Sequence, residues 1–189
     1  LGRPVKLMWS REETGRQTKA RPFSAFHLKG GLNSDGKPHS FEARVVSHSI
    51  FQHQIPQFMR EGLDGIALEN VDARMAYSWP NKSVKWAMRN NHLPVHWWRA
   101  VAAPKTQFAV ESFVDEMAEA AGQDPIDFRL GALPADSHYR HPLEIARDVS
   151  GWSTDMGRGE GMGVAMGEAF GTIVVQVAWV TVSRRGQLR

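Results

Sequence analysis

The spacing of apolar and polar positions divides the chain into three stretches: mainly strand over 1–90, mainly helix over 91–151, and a glycine-rich loop with a strand over 152–189. Val5 to Arg11 has strand composition. Phe23 to Leu32 and Lys37 to Ser49 read as two strands around Asn33-Ser34-Asp35-Gly36, whose Asp-Gly pair is a strong hairpin signal. Phe41-Glu42-Ala43-Arg44-Val45 alternates, as a strand with one solvated face should. Residues 50–81 carry Pro56, Gly62, Gly65 and Pro80 and predict irregular structure with a short helix near Gly65 to Val71. Alternation returns in Lys82 to Met88.

From Thr106 the period lengthens. Phe108, Val110, Phe113, Val114, Met117, Ala118 and Ala121 recur three or four apart, the repeat of an amphipathic helix, with Pro104 suited to its first turn and Gly122 to its stop. A second helix is expected over Pro125 to Leu133 with Asp124 as N-cap, and a third over Pro142 to Val149 ending at Gly151. Ile173 to Val182 is the most strand-like stretch, followed by a turn and the start of a returning strand. The order predicts an α+β fold, with antiparallel or mixed strands packed on two or three helices.

Composition narrows the chemistry. Hydrophobic residues make up 42% and charged residues 23%, which excludes wholesale disorder. Cys is absent, so this chain can form no disulfide, thiolate zinc site, cysteine nucleophile or iron–sulfur cluster of its own. Thr172 to Val182, the longest apolar run, is broken by Gln176 and too short to span a bilayer. Strand-like sequence at both ends, starting at Leu1, leads us to expect a piece of a longer chain or one chain of a larger assembly.

Most candidate motifs favour bland readings. Gly157, Gly159, Gly161, Gly163, Gly167 and Gly171 read as a flexible connector; Gly161 to Met166 misses the dinucleotide fingerprint because Met stands in the last position and no helix should follow. The eight histidines lack metal-ligand spacing, and Ser150 lacks the glycines of a nucleophile elbow. Glu12 and Glu13 read as residues of a solvated loop. Arg3, Lys6, Arg11, Arg16, Lys19 and Arg21 form a basic N-terminal stretch that suits a polyanion, yet no nucleic-acid module accompanies them. Pro94 to Lys105 carries the most weight. Trp97, Trp98 and Arg99 precede small residues and the start of the best helix, where free amides and an arginine would suit an anionic or oxygen-rich ligand. Equally, one of these tryptophans could plug the core with Arg99 capping it.

These residues carry a resemblance. Gly2-Arg3-Pro4-Val5 resembles a strand of the large subunit of the xanthine dehydrogenase (molybdenum hydroxylase) family. Trp97-Trp98-Arg99-Ala100-Val101-Ala102 lies where that family carries its Ala-Phe-Arg-Gly-Phe-Gly loop. The helix motif Val110-Glu111-Ser112-Phe113-Val114-Asp115-Glu116 and the run Gly122-Gln123-Asp124-Pro125-Ile126-Asp127-Phe128-Arg129 are similar to its next two helices. Together with Gly167-Glu168-Ala169-Phe170-Gly171, they look most like the molybdopterin-binding beta subunit of isoquinoline 1-oxidoreductase-like enzymes, a group that includes bacterial aldehyde dehydrogenases.

The resemblance implies part of a larger pair of molybdenum-cofactor-binding domains, from an oxidoreductase that hydroxylates an N-heterocycle or an aldehyde. It implies a molybdenum–pterin cofactor, often in the cytosine dinucleotide form, shared with segments outside this chain, and a separate small subunit holding the iron–sulfur clusters. Trp98, Arg99 and Ala100 are then expected at the cofactor; Val101, Asn70, Glu168 and Phe170 at the substrate. Val101 stands where relatives acting on purines place a stacking Phe, which removes the aromatic sandwich, and Asn70 where they place an Arg, a lost cation that speaks against a purine. The catalytic glutamate is expected beyond Arg189, so the isolated chain is expected to be inactive, and cytoplasm and periplasm of a bacterium both stay open. The alternative is a non-catalytic interaction module whose basic N-terminal face binds an anionic partner.

Overall fold

The computed structural model describes residues 2–189. The stretch Val5 to Arg11, expected as a strand, forms none: residues 5–10 pair with nothing, Val5, Leu7, Met8 and Trp9 are exposed, and Arg11 opens helix α1 (Arg11–Gln17) instead. Ser10 explains the change. Its side chain accepts a hydrogen bond from the Glu13 amide at 3.1 Å, so Ser10-Arg11-Glu12-Glu13 caps the helix and places both glutamates in its first turn rather than in a loop.

Strands β1 (Ser24–Leu32) and β2 (Pro38–Ser47) pair antiparallel, joined as expected through Asn33-Ser34-Asp35-Gly36, where the Asn33 side chain accepts from the Asp35 and Lys37 amides. Phe41, Ala43 and Val45 alternate into the core, and β3 (Asn81–Met88) runs parallel to β2 on its other edge. A parallel pair needs a long crossover. Here residues 48–80 supply it with a short helix α2 (Ile50–Gln54) and 3-10 turns at Pro56–Phe58 and Gly65–Leu68, the latter where the short helix was expected. Asp64 knots this crossover by accepting from Ser49 Oγ (2.8 Å) and from the Phe51 and Ile66 amides.

Helix α3 (Ala103–Ala121) lays Val110, Val114, Met117 and Ala118 on the core, and Gly122 stops it in a left-handed conformation. Asp124 caps α4 (Pro125–Ala132) as anticipated, accepting from the Ile126 and Asp127 amides. Helix α5 (Arg140–Ser150) begins slightly ahead of its expected start and ends at Gly151. The three principal helices are thus those the periodicity predicts.

The glycine-rich segment is a strand, not a connector. Strand β4 (Glu160–Ala169) pairs along its whole length with β5 (Thr172–Thr181), and the two-residue turn Phe170-Gly171 has positive φ at both positions, the geometry that suits strand twist. Pairing with the strongly β-forming β5 overrides the weak strand propensity of glycine. Beyond it the chain turns at Ser183–Gly186, and Thr181 and Arg189 exchange backbone hydrogen bonds. One core joins Phe41, Val45, Val71 and Trp79 to Val110, Val114, Ile126 and Phe128, then Leu143, Val164 and Met166, so α3 lies between the two sheets. No helix among the described residues is long and apolar enough to cross a membrane.

Candidate functional site

A short parallel bridge brings the chain before β1 against the segment after β3: the Ala20 amide donates to Pro94 O (3.0 Å) and the His96 amide to Ala20 O (3.1 Å). The next residues, Trp98 to Ala103, wind through overlapping tight turns. The Val101 amide donates to Trp98 O (2.7 Å) and the Ala103 amide to Ala100 O (2.9 Å). Ala100 and Val101 both adopt left-handed backbone, at φ 56° and 50°. For a β-branched residue that is an outlier, and such conformations cost on the order of 1–3 kcal/mol each. The Arg21 guanidinium holds the turn from behind, donating through Nη1 to Val101 O and through Nη2 to Arg99 O (2.8 Å).

This winding corrects one expectation. The start of α3 offers no set of free amides: Pro104 has none, Ala103 donates into the turn, and Lys105 and Thr106 both donate to Ala102 O. Trp97 is half-buried outside the core cluster, Trp98 is 40% exposed and Arg99 is exposed, so neither tryptophan plugs the core and Arg99 does not cap it. Among the described residues the Arg99 side chain has no hydrogen-bond or ion-pair partner. Arg21, counted in the basic N-terminal stretch, turns inward instead.

Ala100 stands at the end of a groove of about 610 Å³ between α3 and the β4–β5 hairpin. Small residues (Ala103, Ala165, Gly167) and apolar ones (Phe108, Val164, Val174) line it, with Gln107 as a neutral polar edge and Glu111 and Asp115 as carboxylates. Glu168 lines this groove and also a second cleft of about 520 Å³, which Asn70 and Phe170 share. There the Asn70 amide donates to Glu168 O (3.2 Å), and Tyr139 OH donates to Glu168 Oε2 (2.6 Å) with His138 stacked on the tyrosine ring. Burial and the bond to Glu168 raise the Tyr139 hydroxyl well above its usual range, so it stays a donor. Glu69 lines the same cleft, and its Oε2 is buried without a partner. Phe170, 83% exposed, is the hairpin tip. The structure therefore brings Asn70, Glu168 and Phe170 together and leaves Val101 apart, on a small enclosed pocket beside Asp64, His48 and Lys105.

Lys105, the last residue of the Pro94 to Lys105 segment and given no role of its own there, donates to Ser24 Oγ (2.8 Å). Burial lowers its pKa from 10.5 to about 8. Because the unfolded chain holds its proton up to the higher value, stability should rise with pH between about 8 and 10.5, and the cost of the buried charge is fully present below pH 8. Lys105→Met should stabilise the fold at pH 7 by about 1–3 kcal/mol, with the gain gone at pH 11. Urea unfolding at both pH values checks this; an equal effect at each would refute it.

Behind the groove lies a buried network. Glu111 accepts from Tyr77 OH (2.7 Å), Arg129 Nε (3.1 Å) and the Met166 amide (3.0 Å), while Arg129 also donates to Asp115 Oδ1 (2.6 Å), Pro125 O and Glu111 O. Burial opposes the Arg129 charge, but Tyr77, Glu111 and Asp115 around it raise its pKa further. The helix motifs that carry the resemblance thus tie α3 and α4 to β4 and set the groove's two walls. No group of three His, Asp or Glu side chains among the described residues is placed to hold a metal ion.

The family model described as "Molybdopterin cofactor-binding domain" matches residues 1–133, more than half of the chain. The chain belongs to this molybdopterin cofactor-binding family. It is 25% identical over 169 residues to isoquinoline 1-oxidoreductase subunit beta of Brevundimonas diminuta, covering 87% of this chain and 22% of that protein. It is 32% identical over 136 residues to a putative xanthine dehydrogenase molybdenum-binding subunit of Escherichia coli K12, covering 68% and 16%. Aldehyde oxidoreductase from Desulfovibrio gigas shares the fold at a TM-score of 0.58 and 19% identity, over 83% of this chain and 21% of that one. The chain spans about a fifth of the length of these relatives.

The exposed residues suit the family's cofactor. A molybdopterin is flat, with polar edges and a phosphate. The groove offers a slot of small residues with the Gln107 amide at its side, and its lining residue Ala100 follows Arg99, whose guanidinium has no partner among the described residues and favours bidentate contacts with oxyanions; the carboxylates Glu111, Asp115 and Glu168 also line it, so an anionic group is expected at the Arg99 end.

Proposed function

We propose that this chain forms part of the cofactor-binding subunit of a molybdenum-dependent oxidoreductase that acts on an N-heterocycle or an aldehyde. The observation that carries the reading is the unpaired Arg99 on a strained, clamped turn, beside a groove that meets the Asn70 cleft at Glu168. Trp98, Arg99 and Ala100 hold the pterin side of the cofactor, in its cytosine dinucleotide form. When bound, the molybdenum–pterin group supplies the redox chemistry, and the protein supplies binding and orientation.

Asn70, Glu168 and Phe170 bound the substrate side, and Val101 backs the turn from its small pocket. Tyr139 orients the Glu168 carboxylate. Asn70, a neutral amide, favours an uncharged ring or an aldehyde over an anionic substrate. The partner is a small iron–sulfur subunit that takes the electrons onward. The lack of cysteine over these 189 residues fits clusters held there.

Arg99→Ala in the whole subunit, produced with its partner, should lower molybdenum and pterin content at least tenfold, with Arg99→Lys retaining part of it. Metal analysis and pterin fluorescence after oxidation measure this; unchanged content in Arg99→Ala would refute the assignment.

A further inference from the structure

Arg21 lies far from Arg99 in sequence, and no motif marks it. The Ala20–Val95 bridge delivers it to the back of the turn, where its two terminal nitrogens engage the carbonyls on either side of Ala100. Those carbonyls point toward Arg21 only while Ala100 and Val101 keep their left-handed backbone, since rotating either peptide to the right-handed region would turn an oxygen away. A guanidinium matches this arrangement because its donors form a rigid planar fork; an ammonium can serve one carbonyl at a time. The contact is intramolecular; its bond to Val101 O is part-buried and its bond to Arg99 O exposed.

We propose that Arg21 is a positioning residue: its fork stores the strain of the Ala100–Val101 turn and thereby presents Arg99 to the cofactor groove. The proposal rests on the reading of Arg99 given above. Without the fork, Val101 relaxes toward right-handed backbone, the turn loosens, and Arg99 loses its fixed place next to Ala100, which lines the groove.

The test uses the whole subunit with its partner. Arg21→Ala should speed hydrogen exchange in a peptide spanning 98–103 at least tenfold, leave a peptide within 110–120 unchanged, and lower molybdenum occupancy at least fivefold. Adding Val101→Gly should restore much of both, because glycine takes positive φ without strain; a merely structural arginine would show no such rescue. If Arg21→Ala does not fold, Arg21→Lys carries the same readouts. Unchanged exchange at 98–103 overturns the proposal whatever Arg99 does. Faster exchange with full occupancy also overturns it, and Arg99→Ala alone then tells where the fault lies: loss of cofactor there clears the Arg99 reading, and retention sinks that reading too.

Discussion

Arg129→Ala should cost about 3–5 kcal/mol of folding stability. Arg129 is fully buried and Glu111 is 5% exposed, so truncation leaves the Glu111 carboxylate enclosed without its cation. Tyr77 and the Met166 amide still donate to that carboxylate, but two neutral donors do not replace the cation whose Nε donates to it. Asp115 loses less, being half-exposed, and water can take the place of the arginine there. Arg129→Met with Glu111→Leu should recover most of the loss, because removing both charges removes the desolvation penalty along with the attraction. Urea titration of the single and double variants measures the coupling. A single-variant loss below about 1 kcal/mol would show that water reaches Glu111 and that the network is not enclosed.

A second large effect is expected at the start of β4. Gly159 has φ +83°, and a Cβ there would stand 2.6 Å from Val182 O, a backbone atom that cannot swing aside. The carbonyl of Gly159 also accepts from the Val182 amide at 2.6 Å, so displacing either strand end breaks that pairing. Gly159→Ala should therefore cost about 2–4 kcal/mol through backbone strain and the lost contact. Gly163→Ala, in the same glycine-rich stretch, meets nothing within 4 Å and should change stability by less than about 0.5 kcal/mol. Thermal unfolding compares the two, and hydrogen exchange should locate the Gly159 effect in β4 and β5. Equal effects at both positions would mean that glycine content as such, rather than the geometry at 159, matters.

That contrast shows where the sequence was legible. β2 was readable because its Phe41, Ala43 and Val45 alternate, and α3 and α4 because period, cap and stop agree. The β4 segment was not, since glycine carries no side-chain pattern; only the complementary β5 decides its state. Val5 to Trp9 misled through composition, although the signal of Ser10 and Glu13 at capping distance stood next to it. Within the candidate site, Trp98, Arg99 and Ala100 stood out from the resemblance. Arg21, Tyr139 and Lys105 did not, because their roles arise from contacts across many residues of chain. Glu111 and Arg129 were visible as motif letters, yet nothing in a linear pattern says that they face each other.

Their enclosure has a bearing on how kinship in this family is recognised. The paired glutamate and arginine between α3 and α4 tolerate little change for reasons of architecture, since losing either strands a buried charge. A paralogue that had abandoned redox chemistry would keep both and still be retrieved. Whether it remains a cofactor binder is written instead at Trp98 and Arg99, exposed on the turn that Arg21 braces.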